Sequence, residues 1–267
     1  MQTITERQIR EAISSTGVTP GSLVFVHSAL LTLGPIAGAP IDEMPSRIYK
    51  ILRQQLGPRG TIAVPTFNFE FCDGCGFHRQ HTPSQGMGVF SEYLRRLPDA
   101  RRSPHPMQSM AAVGPLSKNL AERDTPSAFE EGSSFDALLE YDATILMLGC
   151  GINAVSLVHW AEEKVGVPYR YWKSFSGHYR DGRWAGHRTY RLFARDLELD
   201  PEVRVEPVGE VLRRRAEIHR VELGRGTIEA CSARHFAAAA LQLLRRDPRA
   251  LIRSEMDHRS RRPRATG

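Results

Sequence analysis

Cysteine is too scarce in this sequence to staple a fold. The four thiols, Cys72, Cys75, Cys150 and Cys231, are scattered along 267 residues, which excludes a disulfide framework and leaves reduced thiols as the expectation. Long apolar runs are missing too: none approaches the ~20 residues that a membrane-spanning helix needs. Met1-Gln2-Thr3-Ile4-Thr5-Glu6 lacks the basic-then-apolar pattern of a secretory signal, so a cytoplasmic protein is expected. What is present suits a globular enzyme: 41% hydrophobic and 25% charged residues are enough to build a core. The net charge is +6 with histidine neutral. Part of that excess sits at the end of the chain, in Arg245, Arg246, Arg249, Arg253, Arg259, Arg261, Arg262 and Arg264. Residues 246–267 therefore read as the solvated basic tail of one domain spanning 1–267, rather than as a nucleic-acid arm.

Periodicity divides the chain into alternating helices and strands. Thr5 caps a helix to Ser15, and Leu23–Val26 is a buried strand that stops at His27-Ser28. Met44–Leu56 is a helix ended by Gly57-Pro58, and Gly60–Thr66 is a second strand. Helices are expected over Met87–Leu97 and Leu116–Glu122, and over Asp136–Leu139 behind a Ser133 or Ser134 cap. Two β-rich arms, Tyr169–Ser174 and His187–Phe193, flank Asp181-Gly182, a strong hairpin signal. Val208–Ile218 is expected to be helical, Thr227–Ala230 a strand, and Ser232–Arg245 a final helix. This order implies an α/β fold class, a central mixed sheet flanked by helices with an additional antiparallel β region in the C-terminal half. Ligands then belong outside the carboxyl ends of its strands.

Ile145–Glu163 carries the clearest chemistry. A short apolar strand, Ile145–Leu148, ends at Gly149 and Gly151, and Asn153 is placed to cap a helix running to about Val165. His159 and Glu162 are then i and i+3 on one helix surface, an imidazole beside a carboxylate. Spacing alone leaves this pair open, because a histidine on an amphipathic helix is more often structural than catalytic. Ser28 either caps the segment after its strand, offering backbone N–H groups to an anion, or simply ends the strand. Arg101 and Arg102, beside Pro104 and Pro106, either hold an anion or form a solvated turn. Cys72, Cys75, His78 and His81 have the donor types of a zinc site, but the second spacing is shorter than finger-type sites use. A Gly-rich loop over a cleft is the expectation there, with no metal.

Taken together, Leu23–Gly34 (LVFVHSALLTLG), Gly60–Phe67 (GTIAVPTF), Thr82-Pro83 with Gly88–Tyr93, Arg102–Gly114 (RSPHPMQSMAAVG), Gly132–Phe135 (GSSF), His159–Glu162 (HWAE) and Leu243–Ala250 (LLRRDPRA) resemble the aminoglycoside 3-N-acetyltransferase family over nearly the whole chain. The resemblance implies acetyl transfer from acetyl-CoA, as co-substrate, to an amine of an aminoglycoside by direct attack. An amine is protonated near neutral pH and needs a base of pKa about 7 before it attacks a thioester. The resemblance gives that role to His159, with Glu162 either orienting the imidazole or meeting the substrate ammonium. It places His27, Ser28, Ala29, Leu30, Thr66, His105, Ser109 and Phe135 along the cofactor cleft. Glu70, Asp73 and Glu163 are the carboxylates expected to meet the acceptor.

Two departures bear on the acceptor. Ala29 stands where many relatives have serine, and the CDGCGFHRQH loop is not a feature of the resistance enzymes. Aminoglycosides are polycations, whereas arginine flanks this cleft, so another amine, an amino sugar or a biosynthetic intermediate, is the competing acceptor. A zinc-dependent hydrolase and a nucleic-acid-binding protein are the readings outside the family. The expected partner is a small-molecule amine, with neither nucleic acid nor membrane, and a homodimer is left open.

Overall fold

A computed structural model describes residues 3–199 and 202–253; the tail arginines at 259, 261, 262 and 264 lie outside the described residues. The chain opens with α1 (Glu6–Ser15), β1 (Leu23–Ser28), α2 (Met44–Leu56), β2 (Thr61–Pro65) and a two-residue strand β3 (Phe77–His78). There follow α3 (Gly88–Arg95), β4 (Arg101–Arg102), β5 (Met110–Val113), α4 (Ser117–Ala121) and α5 (Ser134–Glu140). The second half holds β6 (Thr144–Leu148), α6 (Val158–Val165), β7 (Arg170–Asp181), β8 (Trp184–Arg195), α7 (Glu206–Arg214), β9 (Ile218–Leu223), β10 (Gly226–Ser232) and α8 (Ala233–Arg246).

Seven strands form the main sheet in the order β4-β5-β2-β1-β6-β10-β9. Its centre is parallel, β1 lying between β2 and β6, and both flanks are antiparallel. The carboxyl ends of β1, β2 and β6 therefore point the same way, towards Ser28, Thr66 and Gly149. Central strands in such a sheet are buried on both faces and read as unbroken apolar runs, which is why Leu-Val-Phe-Val and Ile-Leu-Met-Leu show no alternation. Side chains still alternate in space. Phe25, Ile145 and Met147 join the core under α5, α6 and α8, while Val24, Val26, Leu146 and Leu148 join the core under α1 and α2. Each such side chain withdrawn from water contributes roughly 1.5–3 kcal/mol.

A second, three-stranded sheet in the order β3-β7-β8 supplies the expected antiparallel region. Its hairpin turns through Gly182-Arg183, with Asp181 opposite Trp184, and Gly182 has the positive φ that such a turn requires (56°). The hairpin is anchored to the main body by a small core of Phe71, Phe77, Met107, Tyr179 and Tyr190 and by the Tyr179 hydroxyl, which donates to Pro104 O at 2.9 Å.

Two local expectations are corrected. The helix expected over Val208–Ile218 ends at Arg214, Ala216 takes a left-handed φ of 56°, and Ile218 opens β9, an edge strand whose exposed polar residues hide its pattern. Asn153 does not cap α6. A separate 3₁₀ turn, Ile152–Ala154, intervenes, and the Asn153 side chain accepts instead from the N–H groups of Val205 (2.7 Å) and Glu206 (3.1 Å), at the start of α7. No helix among the described residues is long and apolar enough to cross a membrane.

Candidate active site

The site grows from the junction of the β1 and β6 loops. The Ala29 N–H donates to Leu148 O at 2.9 Å, and the Thr32 hydroxyl donates to Ala29 O at 2.7 Å and also to Gly149 O. Gly149 has φ 71°, and a Cβ there would lie 2.4 Å from the Thr32 hydroxyl and 2.6 Å from Ala29 O. Only glycine lets these two loops close together. Beyond them α6 carries His159 and Glu162 on one face.

His159 Nδ1 lies 2.7 Å from Glu162 Oε2. The Tyr169 hydroxyl donates to the other carboxylate oxygen at 3.0 Å, and Arg170 Nη2 lies 2.9 Å from Oε2. Glu162 is fully buried while the His159 side chain keeps 27% of its exposure, so the carboxylate is sealed and the imidazole edge is open. Burial pushes the Glu162 carboxyl up. The hydrogen bond and charge of His159, with those of Arg170, outweigh burial and hold it below the usual carboxylate range. Tyr169 is raised, by burial and then by the Glu162 charge, so it serves as a donor only. The Phe129 ring meets His159 edge-on at 5.7 Å.

Of the residues expected along the cofactor cleft, His27 and Ser28 sit at the carboxyl end of β1. His27 Nε2 and Ser28 Oγ are buried with no hydrogen-bond partner among the described residues, and burial drives His27 down to about 3. Leu30 turns its side chain into the core beneath α2. Phe135 is wholly buried in an aromatic stack that joins Phe129, Phe25 and Phe67. Thr66 and Ser109 hydrogen-bond each other at 3.0 Å, and both receive Arg102 Nε, at 3.2 and 2.9 Å. Arg102 is the reason this pair is ordered, and it is neither a solvated turn nor an exposed anion ligand but 5% exposed. His105 Nδ1 accepts from Gln108 N–H, so Nε2 carries the proton and donates to Arg191 O at 3.1 Å, tying the hairpin to the main sheet. Burial pulls His105 down to about 4.

The three carboxylates expected to meet the acceptor are dispersed. Glu163 accepts from the Ser127 hydroxyl at 2.6 Å and is raised, chiefly by burial. Glu70 and Asp73 lie on a 3₁₀ turn, Glu70–Asp73, packed beside β7. The Cys/His loop does not converge. Cys72 faces Met107, with its sulfur 3.2 Å from the thioether, Cys75 is exposed, and the His78 and His81 rings lie against each other at 4.3 Å. Among the described residues no three His, Cys, Asp or Glu side chains are grouped to hold a metal ion.

Sequence reasoning missed Tyr169 and Arg170. Their signal was present but dispersed: Gly166 ends α6 in a left-handed conformation, and the four residues from Val167 to Arg170 turn the chain straight back past Glu162.

A family model described as aminoglycoside 3-N-acetyltransferase matches residues 25–245. The chain is 30% identical to an aminoglycoside N(3)-acetyltransferase III of Salmonella sp over 190 residues, 64% of each chain. It is 27% identical to an aminoglycoside N(3)-acetyltransferase IX of Micromonospora chalcea over 216 residues, 74% of each. It thus spans just under two thirds of the length of the type III relatives it matches. Among solved structures, AAC-IIIb in a binary complex with CoASH superposes with a TM-score of 0.77 at 20% identity, covering 91% of this chain and 96% of that one. The YokD protein of Bacillus subtilis gives 0.78 at 19% identity, covering 93% and 96%. These likenesses establish a shared fold, and with the family match over residues 25–245 the chain belongs to the aminoglycoside 3-N-acetyltransferase family.

Proposed function

We propose that the protein transfers an acetyl group from acetyl-CoA to an amine of an aminoglycoside, with His159 as general base. The observation that carries this reading is the half-open His159 held from behind by a buried, fully bonded carboxylate. A carboxylate only accepts, so the 2.7 Å contact requires Nδ1 to hold its proton and donate. Nε2 is left with a lone pair, the atom that takes the amine proton as the amine nitrogen attacks the thioester carbon. The carbon–sulfur bond then breaks, and the proton on Nε2 is available to the departing thiolate. Because both Glu162 oxygens are occupied inside the protein, Glu162 fits the orienting role better than contact with a substrate ammonium.

Acetyl-CoA supplies the thioester when bound. The unpartnered Ser28 hydroxyl and the backbone of His27–Leu30, at the carboxyl end of the sheet, suit its diphosphate, as a polar group there would complete what is now an incomplete hydrogen-bond set. Ser156 Oγ, also buried without a partner, lies three residues before His159, where a donor to the developing oxyanion is needed.

The acceptor has a specific competitor. Arg170 stands beside the imidazole, and Arg191 lies over the Trp172 ring at 4.2 Å while its N–H bonds Pro126 O, next to Ser127 and Glu163. Of the two, Arg191 is exposed and favours an amino sugar that also bears an anionic group. Thiol release from acetyl-CoA, measured with aminoglycosides, neutral amino sugars and amino sugars carrying a carboxylate or phosphate, separates the two. His159→Ala is expected to lose about 10²–10⁴-fold in turnover while acetyl-CoA still raises its melting temperature; an active variant overturns the assignment of the base.

A further inference from the structure

A cavity of about 710 Å³ lies at the β4 edge of the main sheet, between the end of α3, the end of α4 and the tip of the hairpin. None of its lining residues belongs to the His159 cluster. Its size is within the roughly 300–1,000 Å³ of small-molecule sites. Its walls carry Arg79, Arg95, Arg96, Arg101 and Arg102 against only two carboxylates, Glu122 and Asp181. A third carboxylate, Glu92, stands behind the wall and pairs with Arg95 and Arg96. The five cations thus outnumber all three carboxylates.

The guanidiniums divide into two sets. Arg79 and Arg102 are frame: Arg79 donates to Arg102 O, Ala121 O and Asp181, and Arg102 donates to Thr66, Ser109, Arg79 O and Thr82 O. Each of these Arg102 acceptors is a neutral oxygen, so this 5%-exposed charge has no carboxylate against it. Burial, reinforced by Arg95, lowers it to about 9, which leaves it charged at neutral pH. Arg96 and Arg101 are the free set. Both are exposed; Arg96 uses only Nε, on Glu92, and the Arg101 side chain has no partner among the described residues. A concave surface with surplus guanidinium forks, two of them exposed, matches a planar or tetrahedral oxyanion of more than one charge.

We propose that this cavity is an anion site for a diphosphate group, distinct from the acyl-transfer centre, with Arg96 and Arg101 as the residues that close on it and Arg102 as the fixed charge behind. The diphosphate is that of a free nucleotide, since the cofactor's own is accounted for at Ser28 and the His27–Leu30 backbone. Titration calorimetry with inorganic pyrophosphate tests the site, using the wild-type chain and an Arg96→Ala/Arg101→Ala variant, whose exposed positions leave the fold intact. Binding that weakens with salt, and that falls about tenfold or more in the variant, is the expected result. The Michaelis constant for acetyl-CoA is expected to be unchanged in the variant; a rise by a similar factor would mean that these arginines hold the cofactor and overturns the separate site. No pyrophosphate binding at millimolar concentration, or equal binding by both proteins, overturns the proposal. The calorimetry does not require catalysis, so its failure is distinguishable from failure of the acetyltransferase reading.

Discussion

At the residue scale, two donors share one carboxylate oxygen behind His159. His159 Nδ1 and Arg170 Nη2 lie 2.7 and 2.9 Å from Glu162 Oε2 and 3.1 Å from each other. When Nε2 takes a proton, the imidazolium is stabilised by Glu162 and opposed by the neighbouring guanidinium. Replacing Arg170 by Met removes one of the three groups that hold the Glu162 carboxylate, so kcat is expected to fall while the Michaelis constant for acetyl-CoA is unchanged. Arg170→Lys keeps a cation against Glu162 and is expected to restore part of the turnover. A loss of turnover that lysine does not rescue, with a fall in melting temperature, would mean that Arg170 only anchors the hairpin through its bond to Phe193 O. The His159–Glu162 pair was legible from its i, i+3 spacing. Tyr169 and Arg170 were not, because their approach depends on the left-handed turn at Gly166 and not on any local period.

At the element scale, strands and helices that bury apolar residues on a regular period were readable. The α1 capping box at Thr5 and Gln8, the unbroken apolar runs of β1 and β6, and the Ser133 cap, whose hydroxyl accepts from Asp136 N–H at 3.1 Å, all arise from short stretches of sequence. Failures came where an element takes its partner from far along the chain. Asn153 has the chemistry of a cap, but the N–H groups it satisfies belong to Val205 and Glu206, and no window around residue 153 contains them. β9 is an edge strand held mainly by β10, so its side-chain pattern carries little of the burial that would reveal it. Asn153→Ala leaves two N–H groups at the start of α7 without their acceptor, and a loss of about 1 kcal/mol in unfolding free energy is expected. Denaturant titration checks this; an unchanged midpoint would mean that solvent replaces Asn153 at no cost.

At the scale of the whole molecule, stability is tied to pH through two buried histidines. His105 bridges the β7–β8 hairpin and the main sheet through Arg191 O as a neutral imidazole, and His27 is buried beneath the active-site loop, its ring edge-on to Phe25 at 4.9 Å. Burial lowers the two histidines to about 4 and about 3, below the roughly 6.5 they have when unfolded. The unfolded chain therefore binds more protons than the folded one as pH falls through this range, and stability must fall with it. The contribution is fully present above pH ~6.5, and each histidine removes about 1.4 kcal/mol per pH unit below that until its folded value is reached. Glu92, lowered to about 2 despite burial by its hydrogen bonds to Arg95 and Ser84, adds a loss of the same sign at lower pH. Between pH 7.5 and 5.0 the two histidines together are expected to remove about 4 kcal/mol from the unfolding free energy. His27→Met tests the share of one of them without stranding a donor, since Nε2 has no partner to lose. The variant should lose about 2 kcal/mol between pH 7.5 and 5.0, against about 4 kcal/mol for the wild-type chain, read by denaturant titration. An acid slope equal to that of the wild-type chain would show that His27 is reached by protons in the folded state, and that the loop over it opens before the protein unfolds.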